Sequence, residues 1–104
     1  QDNGGKGDQF SPTDLCAVSL GACATTTMAL VAQRRGIPLY GIRFDVAKEM
    51  TASPRRIARL TVKYVIQSSC NDAQWEELVQ AGTTCPVRLS LTPEIVVEET
   101  YLRG

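Results

Sequence analysis

The stretch from Leu15 to Ala32, LCAVSLGACATTTMALVA, contains no Asp, Glu, Lys or Arg, and it constrains the fold more than any other part of the chain. Both of its ends carry helix signals. Ser11 stands ahead of it with Pro12 next and Asp14 three residues on, which supplies a hydroxyl cap, a proline at the first helical position and an acid reaching back. At the far end Arg34 and Arg35 sit where the helix dipole favours cations, Gly36 can take a left-handed stop, and Pro38 follows. The pattern predicts one buried helix of about six turns. In a chain of 104 residues such a helix lacks enough partners, because a small domain leaves much apolar surface uncovered. The expectation is a homo-oligomer, or sequence beyond this chain.

The remainder is expected to form the rest of a single domain over residues 1–104. Gln1 to Gln9 is polar and glycine-rich and reads as a loop or terminus, with Phe10 placed to staple the helix start. It lacks a phosphate-loop pattern, since Lys6 is followed by Gly7. From Ile42 to Met50, Ile42, Phe44 and Val46 alternate with Arg43, Asp45 and Ala47. Thr51 to Arg55 reads as a turn. From Ile57 to Gln67, Leu60, Val62, Tyr64 and Ile66 share a face, so the two runs predict an antiparallel hairpin laid on the helix. Asn71 caps a second helix with Gln74 at its third position; Trp75, Leu78 and Val79 form its apolar stripe, and Gly82 is expected to stop it. Cys85 to Leu91 reads either as a short helix capped by Cys85 with Pro86 in first position, or as an extended segment. Ile95, Val97 and Tyr101 mark a last strand, in which Glu94, Glu98 and Glu99 suggest an edge or exposed face.

Eleven basic residues balance eleven acidic ones, so no long-range field attracts nucleic acid or an anionic membrane, and Arg55, Arg56, Arg59 and Lys63 read as a local solvated face. Ser19, Gly21 and Thr25 to Thr27 make the long helix a poor lipid solute, which argues against a membrane span. No apolar leader opens the chain, so a reducing cytoplasm is the expected location for its four cysteines.

Candidate chemistry rests on those thiols. With no histidine, Ser-His and Cys-His catalysis and the commonest metal ligand are removed, and no CxxC pair supports a zinc site or a thioredoxin-like oxidoreductase. Neither cofactor nor metal is expected. Cys16 and Cys23, seven residues apart, share a helix face but are about 10 Å apart along the axis, too far to bridge. Cys16 and Cys70 read as packing residues. By local chemistry Cys85 is the better nucleophile, since a helix N-terminus favours thiolate, whereas a buried mid-helix Cys23 needs a positive partner from elsewhere. Either remains open on these grounds.

The combination of FSPTDL, SLGACATT, SPRRI and CPVRLSL resembles the OsmC/Ohr family of thiol-dependent peroxidases, in its OsmC-like branch, from about Gly4 to the C-terminus. The resemblance implies an α+β fold, a long buried central helix packed against an antiparallel sheet, in an intertwined homodimer. It also implies that Cys23 attacks an organic hydroperoxide and that Cys85 resolves the sulfenic acid as a disulfide, which a dithiol then reduces. Two departures accompany it. The family glutamate after the helix-start proline corresponds to Thr13, with Asp14 as the neighbouring acid. The family's strands before the glycine-rich segment, with their activating arginine, have no counterpart here, so none is carried over, Arg43 and Arg88 included. These departures motivate the alternative of a noncatalytic dimeric member that binds an apolar ligand or partner.

Overall fold

A computed structural model describes residues 11–104, so the glycine-rich segment and the Phe10 staple lie outside the described residues. In chain order the elements are α1 (Pro12–Arg35), β1 (Gly41–Ala52), β2 (Arg55–Gln67), α2 (Asp72–Thr83), α3 (Pro86–Ser90) and β3 (Val96–Arg103).

The ends of α1 form as their sequence predicts. Ser11 Oγ accepts from the Asp14 amide at 3.1 Å while the Asp14 carboxylate accepts from the Ser11 amide at 3.3 Å, and Gly36 closes the helix at φ 65°. Lys48 Nζ of β1 then meets Asp14 Oδ1 at 2.9 Å and donates to Thr13 Oγ1 at 2.6 Å, fastening the first helical turn to the sheet. Inside the helix, Ser19 and Thr27 donate to the carbonyls of Cys16 and Cys23, which satisfies hydroxyls on an otherwise apolar rod.

β1 and β2 pair antiparallel from Gly41↔Gln67 to Ala52↔Arg55, with an irregularity between Glu49 and Met50. The strands run further than the alternation alone predicts, leaving Ser53 and Pro54 to turn the chain. β3 joins β2 on its other side in parallel, in the order β1-β2-β3. The sheet is therefore mixed and not wholly antiparallel. The reason is connective: α2 and α3 intervene between β2 and β3, and a helical crossover brings the chain back in the same direction. On the outer face Arg59 reaches Glu49 of β1 and Glu98 of β3, both at 2.7 Å, tying the three strands with one guanidinium.

The inward residues of β2, namely Leu60, Val62, Tyr64 and Ile66, are fully buried against Leu20, Ala24 and Met28 of α1. Full burial of each such side chain contributes about 1.5–3 kcal/mol. The helix lies close because Gly21 faces the sheet: a methyl group there falls 2.3 Å from the Phe44 ring. Gly82 has a similar use. It does not stop α2, which continues to Thr83 with Thr84 as its cap; instead its missing side chain admits the Tyr101 hydroxyl, 2.6 Å from where a Cβ would stand. Among the described residues nothing covers the second flank of α1, where Leu15, Ala22, Thr26, Ala29 and Leu30 are exposed. The domain measures 45 × 30 × 19 Å, the thickness of one helix layer on one sheet.

Gly21→Ala is expected to destabilise the fold by about 1–3 kcal/mol, read as a lower urea midpoint, and Phe44→Leu in the same chain should recover part of the loss. Equal stability of Gly21→Ala and the unaltered chain refutes the close-packing account.

Candidate functional site

Cys23 and Cys85 come together where α1, α3 and the sheet converge. At 100° per residue, Cys23 lies on the border between the buried face of α1 and its uncovered flank, and it is half-buried. Cys85 is the N-cap residue of α3 and is fully buried. Both belong to one packed cluster where α3 meets α1, and the Cys23 sulfur is near enough to add to the upward push on the Cys85 thiol. All four cysteines are free thiols.

The local-dipole expectation for Cys85 is overturned. Burial pushes its thiol above the ordinary range, and Cys23 and Glu99 push the same way; the backbone amide of Arg88 opposes them without winning. A helix of one turn presents too weak a field to offset complete removal from water.

Near this thiol pair stands a group that its charge assigned to the surface. Glu99, expected on an exposed face with Glu94 and Glu98, has a side chain only 6% exposed. Tyr64 Oη and Tyr101 Oη donate to its Oε2 at 3.0 and 3.2 Å, and Arg88 Nε approaches its Oε1 at 3.4 Å. The two tyrosine rings stack with centroids 4.7 Å apart. Burial, followed by the charge of Glu99, raises the ionisation of both phenols well above the usual tyrosine range. A signal for this was present in the sequence: Val97, Glu99 and Tyr101 fall at period two, so Glu99 shares the inward face of β3.

Other candidates lie elsewhere. Thr13 and Asp14 sit in the first turn of α1 with Lys48, some nine to ten residues from Cys23, or about 14 Å along the axis. Lys48 and Ser11 hold the Asp14 carboxyl below its ordinary range. Arg43 is exposed on β1, remote in the sheet from β3. Cys70 is buried, and Cys16 is half-buried on α1. Among the described residues no three His, Cys, Asp or Glu side chains converge as a metal site.

A long helix packed on a three-stranded mixed sheet defines an α+β protein. The OsmC-like protein family matches residues 5–100, and the chain belongs to that family. A Psychrobacter arcticus protein, described as an osmotic stress induced and detoxification response protein, superposes with a TM-score of 0.86 at 34% identity, over 96% of this chain and 73% of its own. An organic hydroperoxide resistance protein from Legionella pneumophila aligns at TM-score 0.69 and 23% identity over 95% and 74% of the two chains. One from Bacillus subtilis aligns at 0.61 and 21% over 88% and 70%. No curated protein sequence gives a significant match.

Cys85, Tyr64 and Tyr101 all ionise later in the fold than in the open chain, so each contributes stability that is present below its unfolded pKa and lost as pH rises through the folded one. Urea midpoints should therefore fall above about pH 9. Tyr101→Phe should flatten that alkaline slope; an identical slope in the variant contradicts the burial of a titrating phenol.

Proposed function

We propose that this protein is a thiol-dependent peroxidase that reduces organic hydroperoxides. The observation that carries the reading is the placement of Cys23 on α1 and of Cys85 at the start of α3 in one packed cluster, within the fold of the OsmC-like family. The hydroperoxide-resistance role stated for the Legionella and Bacillus proteins fits the same chemistry.

In the proposed cycle Cys23 sulfur attacks the terminal peroxide oxygen. An S–O bond forms, the O–O bond breaks, and the alkoxide takes a proton to leave as alcohol. Sulfur is oxidised by two electrons to the sulfenic acid. Cys85 then attacks that sulfur, the S–S bond forms, and hydroxide departs as water with the proton of the Cys85 thiol. An external dithiol reduces the disulfide and is itself oxidised. Cys23 suits the first role because it is only half-buried, whereas Cys85 is fully buried and better suited to the second. Free thiols of this kind fit a reducing cytoplasm.

The active form is proposed to be a homodimer. Support comes from the uncharged flank of α1, where Leu15 is 56% and Leu30 46% exposed and no charge is met before Arg34 except Asp14 in the first turn. A second copy of that flank covers it without burying charge.

Cys23→Ser is expected to abolish consumption of an organic hydroperoxide in the presence of dithiothreitol, while Cys85→Ser should leave a sulfenic acid that dimedone traps. Retention of all four thiols in the unaltered chain after peroxide, with no turnover, rejects the peroxidase reading and favours the noncatalytic binding member. In that second reading, the Asp14–Lys48 pair and Thr13 serve only the helix start. For the dimer, light scattering should give twice the mass of one chain, and Leu30→Asp should halve it. A monomeric unaltered chain at micromolar concentration sinks this assembly.

A further inference from the structure

We propose that Glu99 is a positioning residue for disulfide formation: held by Tyr64 and Tyr101, its carboxylate fixes Arg88, and Arg88 keeps the Cys85 turn against Cys23. The inference deepens the peroxidase reading, on which it rests for the oxidant, and it assigns a function to a buried acid that packing does not require.

Glu99 lies between Val97 and Tyr101 on the inward face of β3, where an apolar side chain serves packing at least as well as a buried ion pair. Both of its oxygens are nevertheless engaged, Oε2 by two phenols and Oε1 by the guanidinium. The tyrosines come from two neighbouring parallel strands at paired positions, so the carboxylate is tied to both strands at once. Its third partner is on α3, five residues long, with none of them fully buried and with no side-chain hydrogen bond at its cap. Among the described residues, Arg88–Glu99 is the one ion pair that ties α3 to the sheet. Cys85 immediately precedes α3, so freedom of that turn is freedom of the second thiol.

The groups facing Cys85 are Cys23 from α1, the Arg88 amide from α3, Tyr64 from β2, and Glu99 and Tyr101 from β3. Burial raises the Cys85 thiol most, and the Cys23 sulfur and then the Glu99 charge add to it. A carboxamide at position 99 retains shape and can still accept from the phenols, but it releases Arg88 and removes the charge.

The test uses the full chain and diamide, which oxidises a dithiol pair to a disulfide while being reduced to its hydrazine, without any peroxide. Glu99→Gln should slow formation of the Cys23–Cys85 disulfide by roughly tenfold or more, because small losses of alignment carry large rate costs. In a Cys23→Ser background it should also shift alkylation of Cys85 by iodoacetamide to lower pH. Arg88→Gln should reproduce the slow disulfide and Arg88→Lys should restore part of the rate. If Glu99→Gln does not fold, the two Arg88 variants decide. An unchanged disulfide rate in whichever variants fold, an alkylation profile unmoved by Glu99→Gln, or a wild-type chain that forms no Cys23–Cys85 disulfide with diamide overturns the proposal. Peroxide turnover with an unimpaired Glu99→Gln overturns it alone and leaves the peroxidase reading standing. Slow disulfide formation in the variant without peroxide turnover in the wild type rejects the oxidant and retains the positioning role.

Discussion

Burial of a nearly uncharged helix against the inward face of β2 is the contact on which the rest of the structure depends. Leu60, Val62, Tyr64 and Ile66 lose all contact with water only because Leu20, Ala24 and Met28 lie over them. Gly21 sets how near the helix comes to Phe44, and the Lys48 ammonium pins its first turn. With the helix so placed, Cys23 stands at the border of core and uncovered flank. The position of a thiol on α1 is thus a consequence of the same close packing that makes the core.

Burial then sets the Cys85 environment. Removal from water pushes its thiol above the ordinary range, and Glu99 beside it adds to the push. Glu99 itself is tolerated in the interior because three donors surround it, and those donors come from β2, β3 and α3. The cluster therefore joins sheet and short helix at the point where the second cysteine enters. In the proposed peroxide chemistry, this interior acid governs where the second thiol stands.

Much of the fold was legible because its signals are local. Ser11 and Asp14, Gly36, and Asn71 with Gln74 act within a turn of their own positions, and each cap formed as read. Period-two alternation likewise assigned the inward face of β2. The errors have physical causes. Gly82 looked like a stop signal, yet its missing side chain is used by Tyr101 from a distant strand. Glu99 was grouped with exposed acids because charge outweighed its place between Val97 and Tyr101. The parallel pairing of β3 followed from the crossover through α2 and α3, which no residue within β3 announces.

The sequence by itself determined α1, α2, the hairpin, the resemblance to the OsmC-like family and the two cysteines worth weighing, since these depend on neighbours close in the chain and on short motifs. Only the tertiary structure decided that Cys23 and Cys85 join one packed cluster, that Thr13 and Asp14 belong to the Lys48 cluster, and that Glu99 turns inward to Arg88 and two tyrosines. Those outcomes depend on partners up to 62 residues away in sequence, as Cys23 and Cys85 are. Burial and charge at such distances are set by how the layers pack, and composition and periodicity along one strand of chain carry no record of it.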